Sequence, residues 1–587
     1  MLRQELSDYI VEGREERYQF TWPDKKKAML LANAPVSLTL RPCREESVDF
    51  DNTENLYIEG DNLDVLKLLR ETYLEKVKMI YIDPPYNTGN DFVYADDFSE
   101  NMDEYLENSG QYDTEGNRLL LNSESSGRFH TNWLNMMYPR LRLAKDLLTD
   151  DGVLFISIDD NEVENLTKIG KEIFGDLNYI NTLKWKRKKQ PSFLSKHIAP
   201  VMEYIVVFAK NSNSLEKLSV EKVSDATKKV INISNQESER VFKSGVEVKG
   251  IDNGIIPKGV YTIKTMNVEY LNDIIIENGR TVSSVTVRAK FLNTQEKINE
   301  FIDNNLLFIT ATKGLRRYVS AEESNKEKSI IDLLLDWGDN QDSEKEQKEL
   351  FGDKYFDYTK PVGLLYNLVK SCTAEGDIVM DFFSGSATTA HAVMKLNAED
   401  ESKRSFIMVQ IPEETSETSE ARKAGYYNIC EIGKERIRRA GKKILKEINQ
   451  KIDIGFRVLK IDSSNMKDVY YTPEQAAQQS LFEMTDNIKE DRIPEDLLFQ
   501  VMLDLGVLLS SKIEKIVIAG KKVFNVADGF LMACFDSDVT DDVVKAVAQH
   551  KPYYAVFRDS SIANDSVATN FEQIFATYSP KTVRKVL

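Results

Sequence analysis

The sequence predicts an α/β fold split by an inserted domain and followed by an α+β region. Three observations carry this reading. Short apolar runs of strand length alternate with helical periodicity between Leu56 and Phe208, the alternation resumes from Asp377 to Val409, and the chain between is polar and lysine-rich. The expected boundaries are an N-terminal segment at 1–50, a first α/β part at 51–210, an insert at 211–351, a second α/β part at 352–450 and a C-terminal domain at 451–587.

Leu56 to Asn62 reads as a short strand signal followed by Leu63, Val65, Leu66, Leu68 and Leu69 at helical spacing, hence strand, turn and helix. Val77 to Ile82 is a buried strand, and Asp83-Pro84-Pro85-Tyr86 ends it because two prolines cannot continue a central ladder. Trp133, Met136, Met137, Leu141, Ala144, Leu147 and Leu148 keep a helical period, and Asp150-Asp151-Gly152 turns the chain into the strand Val153 to Ile158. After Glu203 to Phe208 the character of the chain changes. The insert shows only weak strand patterns, such as Val282 to Val287. Asp377 to Asp381 is the next buried strand, followed by a loop, a helix and the strand Ser405 to Val409. Beyond Glu447, Phe456 to Ile461 alternates as a strand and Leu497 to Leu509 as a helix. The helical spacing of Trp133 and Met137 assigns them to the core, and His391 is expected to be packed or solvent-facing rather than catalytic.

With 587 residues the chain exceeds what one core organises. Apolar residues make up 41%, and no stretch approaches the roughly eighteen consecutive apolar positions a membrane span needs. Met1 to Tyr18 is polar and lacks the apolar run of a secretory signal, so a cytoplasmic protein is expected. The four cysteines are far apart, which points to reduced thiols and no metal site. Seventy-seven basic residues against 95 acidic ones give a net charge of −18, so any nucleic-acid contact has to be a local basic surface.

Asp83-Pro84-Pro85-Tyr86 places a carboxylate, a stiffened carbonyl and an aromatic face within one turn, which suits a base extruded from a duplex. The exocyclic amine of adenine is a poor nucleophile because its lone pair is delocalised into the ring. Hydrogen bonds from that amine to the Asp83 carboxylate and the Pro84 carbonyl favour a pyramidal nitrogen, and Tyr86 offers a stacking face. A rigid turn with Asp83 as a cap is the plainer alternative. The second element, Asp381-Phe382-Phe383-Ser384-Gly385-Ser386-Ala387-Thr388-Thr389, follows a strand and opens a helix, and its small residues admit a nucleotide-like ligand close to the backbone. A plain strand-to-helix turn is the alternative here. No phosphate-cradling G-x-x-x-x-G-K-[ST] occurs. Asp381 is suited to the ammonium of a methionine moiety.

D-P-P-Y preceding D-F-F-x-G-S-x-T-T with a long insert between resembles the beta class of DNA amino-methyltransferases. The texts Tyr81 to Gly89, Lys360-Pro361 and Glu431 to Arg439 are similar to those of Type III restriction-modification Mod subunits. The resemblance implies a Rossmann-like, seven-stranded methyltransferase domain that uses S-adenosylmethionine, interrupted by a target-recognition insert. It implies adenine-N6 transfer by Asp83, Pro84, Pro85 and Tyr86, and a cofactor site at Asp381, Phe382, Phe383, Gly385, Ser386 and Thr388, with Lys360, Pro361 and Asp61. Double-stranded DNA, a homodimer, a C-terminal domain for dimerisation or partner binding, and a separate restriction (Res) subunit with motor and nuclease follow from the same source. Two positions depart from the pattern. Ala387 stands where a second glycine is usual, and Gln410 where an acid often holds the ribose hydroxyls, with Glu413 as a substitute. Cytosine-N4 methylation, RNA or protein methylation, and a recognition-only subunit are the alternatives, and a carboxylate at position 83 favours adenine.

Lys184, Trp185, Lys186, Arg187, Lys188 and Lys189 form the first basic candidate for DNA contact, with Trp185 as a stacking platform. Lys313, Arg316 and Arg317 form the second. Solvated charge is the alternative for both. Arg436, Arg438, Arg439, Lys442 and Lys443 read equally as DNA-facing or solvated.

Overall fold

The computed structural model describes residues 19–89, 92–94, 119–121, 128–191, 197–222, 226–263, 265–448, 451–467, 488–558 and 565–587. The opening Met1 to Tyr18, read above as a polar start, lies outside them. The described chain forms two compact units, 1–216 with 331–587, and the inserted Lys217–Ile330.

The first unit is organised by one ten-stranded sheet. In chain order its strands are β1 (Leu38–Val48), β2 (Leu56–Glu59), β3 (Val77–Ile82), β4 (Leu148–Ile158), β5 (Tyr179–Lys186), β6 (Met202–Ala209), β7 (Leu333–Leu334), β8 (Ile378–Asp381), β9 (Ser405–Gln410) and β10 (Phe456–Ser463). Across the sheet the order is β1-β10-β2-β9-β8-β3-β4-β6-β5-β7. The seven strands expected of the fold lie together from β2 to β5, with β6 antiparallel to both its neighbours. Beyond that prediction, β10 and β1 extend one edge and β7 the other. β2 and β3 are buried at every position, which is why they read as unbroken apolar runs.

Helices cover the sheet: α1 (Asn62–Thr72), α2 (Phe129–Leu147), α3 (Val163–Phe174), α4 (Asn340–Phe351), α5 (Val362–Cys372), α6 (Thr388–Asp400) and α7 (Ile429–Glu447). Their apolar faces form one core with the strands, including Leu66, Ile80, Trp133, Met137, Ile156 and Val409. The C-terminal part carries a second, five-stranded sheet running from Ile513–Ile518 to Val583–Val586, with helices Asp541–Gln549 and Asp565–Tyr578. The inserted unit is built from short strands around Phe242, Val268, Tyr270, Val287 and Ile309.

Three boundaries differ from the sequence reading. The compact insert is narrower than 211–351, because β7 pairs with β5 and so belongs to the first unit, as does α4. The expected N-terminal segment contributes β1, and the expected C-terminal domain contributes β10, which pairs in parallel with β2. Both were assigned elsewhere because pairing partners some 400 residues apart leave no trace in local periodicity.

Gly170 of α3 faces Phe208 of β6 so closely that an added Cβ would lie 2.2 Å from the ring. Gly170→Ala is therefore expected to destabilise the chain by about 1–3 kcal/mol through overpacking, read as a lower Tm in a thermal melt. An unchanged Tm would contradict this packing.

Candidate active site

β8 and β3 are adjacent and parallel, with Met380 paired to Ile80. Their carboxyl ends therefore reach the same edge of the sheet, and the loops beginning at Asp381 and Asp83 leave it side by side. Strand order reverses here, because the chain proceeds from β8 toward β9 on one side and from β3 toward β4 on the other. Such a crevice is where open α/β sheets hold their ligands.

In the first loop, Asp83 accepts from the Lys360 ammonium at 2.9 Å on Oδ1 and 2.7 Å on Oδ2. The Tyr86 hydroxyl donates to Asp83 Oδ1 at 2.9 Å and accepts from Lys360 Nζ at 2.9 Å. Trp133 donates its indole N–H to the Pro85 carbonyl at 2.7 Å, so this residue packs in the core and also fixes the loop. Asn87 takes a left-handed φ of 59°, which asparagine tolerates, and donates to Glu162 at 2.6 Å. Among the described residues no main-chain N–H donates to the Pro84 carbonyl.

Burial raises the Asp83 carboxyl above its usual range, and the Lys360 ammonium opposes that shift. Burial would lower Lys360, but Asp83 and Glu203 outweigh it and hold the ammonium charged. Glu203 is 6% exposed. It accepts from the Tyr86 hydroxyl at 3.2 Å and from Arg187 at 2.9 Å, and it lies 3.7 Å from Lys360 Nζ.

The second loop is shaped by two left-handed residues, Gly385 at φ 49° and Ala387 at φ 59°. An alanine there costs about 1–2 kcal/mol that glycine would not. Gln410 is engaged by the loop itself, since its Oε1 accepts the Gly385 N–H at 2.7 Å and its Nε2 donates to the Ile411 carbonyl. Asp381 is 3% exposed and accepts from the Thr389 hydroxyl at 2.6 Å and the Phe383 N–H at 3.1 Å. Burial pushes its carboxyl up to about 7, against the lowering effect of those two donors. Glu413, half-buried, is also raised by burial.

One dipeptide touches both loops. Thr359 Oγ1 lies 3.5 Å from Ser386 Oγ, and the next residue, Lys360, holds Asp83. Pro361 caps α5 and contributes no side-chain bond. Asp61 caps α1 by accepting from the Leu63 N–H at 2.7 Å and pairs with Arg140 at 3.1 Å, so its carboxylate is already committed.

The basic candidates separate on inspection. Trp185 is the correction: it is 1% exposed, donates to the Gly338 carbonyl at 2.8 Å and offers no stacking face. Lys184 pairs with Asp332, Lys189 with Asp339 and Asp342, and Arg187 with Glu203. Lys188 is exposed and Lys186 partly so. In the inserted unit Arg317 is buried against Glu323 and Phe301, Arg316 bonds Thr227, and Lys313 donates to the Ala311 carbonyl. Arg436 was open between DNA and solvent, and it is neither. It is buried and donates to Ser386 at 3.0 Å, its guanidinium lowered to about 10 by burial. Gly433, one turn earlier, lets α7 approach so closely that a Cβ would lie 3.2 Å from the Gly385 carbonyl.

A profile of the DNA methylase family matches residues 77–440. The chain is 39% identical over 400 residues to the Type III restriction-modification enzyme StyLTI Mod subunit of Salmonella typhimurium, a match that takes in 67% of this chain and 58% of that subunit. It therefore spans a little over half of that relative's length. It is 32% identical over 572 residues to the EcoP15I Mod subunit of Escherichia coli, with 92% and 85% covered. To the EcoPI Mod subunit of Escherichia phage P1 it is 35% identical over 471 residues, with 76% and 72% covered.

Proposed function

We propose that this chain, which belongs to the DNA methylase family and within it to the Type III restriction-modification Mod subunits, transfers a methyl group from S-adenosylmethionine to the N6 amine of an adenine extruded from double-stranded DNA. The observation that carries this reading is the pair of loops leaving adjacent strands at one sheet edge, spanned by Thr359 and Lys360.

Asp83 and the Pro84 carbonyl accept the two N–H bonds of the target amine, draw the nitrogen toward a pyramidal shape and aim its lone pair across to the second loop. Tyr86, whose hydroxyl is tethered, stacks on the extruded base and offsets part of the unstacking cost of a few kcal/mol. The cofactor supplies a methyl group on a cationic sulfur. The donor set fits it: a buried Asp381 for the ammonium, and a Gly385-to-Thr388 turn whose small side chains let the ligand reach the backbone at the start of α6. Phe382 and Phe383 seat that turn on the core. With Gln410 committed to the loop, Glu413 is the carboxylate left for the ribose hydroxyls. Pro361 fixes the approach of Lys360, and Asp61 shapes the floor through α1 rather than by a free carboxylate.

The carboxylate at Asp83 favours adenine over cytosine-N4, and the assembled Asp83, Lys360 and Tyr86 speak against a recognition-only subunit. Lys186, Lys188, Lys313 and Arg316 are the proposed phosphate contacts. A homodimer in the cytoplasm, working with a Res subunit, completes the reading, as the family resemblance of the sequence implies.

Tritiated methyl transfer to DNA tests it. The wild-type chain is expected to label DNA, and Asp83→Ala to lose at least about a hundredfold in rate while still binding DNA; undiminished labelling by Asp83→Ala would reject the assignment. Cofactor affinity should also depend on pH. Asp381 is neutral below about 7, so S-adenosylmethionine is expected to bind more weakly as pH falls through that value, by up to about tenfold per pH unit, and to level off above it until its own α-amino group loses its proton near about 8. Calorimetric titration from pH 5.5 to 8.5 checks this. The dependence should vanish in Asp381→Asn, and a slope that persists there would assign it to another group.

A further inference from the structure

We propose that Glu203 is a positioning residue for methyl transfer, taking over the donors that occupy Asp83 when the target amine arrives. The inference rests on the reading of Asp83 as the acceptor for that amine. Asp83 is already heavily engaged: Lys360 donates to both oxygens and Tyr86 to one of them. The Lys360 ammonium sits 5.0 Å from the centre of the Tyr86 ring. A nitrogen donor held by this carboxylate beside this ring has the chemistry of the amine that must bind there, so lysine and base compete for the same oxygens. A cation left in place would also oppose the reaction, because N6 becomes positively charged as the methyl group arrives.

Glu203 offers both donors another partner. Its Oε2 lies 3.2 Å from the Tyr86 hydroxyl and 3.7 Å from Lys360 Nζ, while Arg187 anchors its other oxygen at 2.9 Å. The tyrosine hydroxyl has one proton and serves one carboxylate at a time. Turning it to Glu203 frees one of the two acceptor positions in use on Asp83 Oδ1, and a small shift of Lys360 toward Glu203 frees those that the ammonium holds on both oxygens. Two carboxylates, one ammonium and one guanidinium sum to zero charge before and after the exchange, and the N–H bonds of the arriving amine replace the donors that Asp83 gives up. The Trp185 ring centre lies 5.8 Å from the same ammonium.

The test is single-turnover methylation of DNA by the full chain, with cofactor and DNA binding measured alongside. Glu203→Gln keeps the shape and removes the charge. It is expected to slow transfer about tenfold or more, with both binding constants within about twofold of wild type. Glu203→Asp, which keeps the charge, should retain most of the rate. Lys360→Met introduced into Glu203→Gln removes the competing cation and should raise the rate above that of Glu203→Gln alone, a rescue that loss of packing would not give. A wild-type rate in Glu203→Gln, or a double variant no faster than the single one, would overturn the proposal. Asp83→Ala run in parallel separates the two readings: if it is inactive while Glu203→Gln is unimpaired, only the role of Glu203 falls, and if it is fully active the acceptor reading falls with it.

Discussion

Everything in the site depends on one pairing, the parallel ladder between β8 and β3. Their register puts Met380 beside Ile80, so the loops that begin at Asp381 and Asp83 emerge at the same height of the sheet. Neither loop has long polar side chains with which to seek the other. The sheet brings them together, and its two strands are separated in sequence by nearly 300 residues that include a whole inserted unit. An insertion of that size is tolerated because loop closure costs grow only slowly with length.

Buried charge sharpens the arrangement. The chain is strongly acidic overall, yet the crevice holds Asp83 and Glu203 against Lys360 and Arg187, a locally neutral set in a poorly solvated place. Removing any one of these side chains would strand a charge, which ties the cluster together even if its net stabilisation is small. Asp381, by contrast, accepts from two neutral donors, and burial, with the nearby Asp83 charge adding to it, pushes its carboxyl up to about 7. In the proposed function the ammonium of the cofactor supplies the cation for this group. Ala387, held in a left-handed conformation, adds backbone strain at the same turn, consistent with the tendency of strain to gather at functional positions.

Much of this was legible in the sequence, and the failures are instructive. The buried strands declared themselves by apolar runs, and D-P-P-Y by the impossibility of continuing a central strand through two prolines. Trp185 was misread because five cations surround it. The strand period of two would have corrected this, since Leu183 and Trp185 point inward while Lys184 points out. Glu203 was passed over, although a carboxylate entering an otherwise apolar strand is itself a signal. Arg436 shares a helical face with Ile432, Gly433 and Ala440, and that spacing marks it as buried. The pairing of Lys360 with Asp83 had no local signature, because 277 residues separate the two.

A crystal structure of the chain with a duplex carrying its target site and sinefungin, a non-transferring analogue of the cofactor, tests whether the two loops share one reaction crevice. The expected result is an extruded adenine against Tyr86, its N6 within hydrogen-bond distance of Asp83 and the Pro84 carbonyl, and the analogue's amine, standing where the methyl group would be, in line with N6 and with its ammonium on Asp381. An analogue seated away from the Asp381 loop, or an adenine left stacked in the duplex while the analogue occupies that loop, would contradict it.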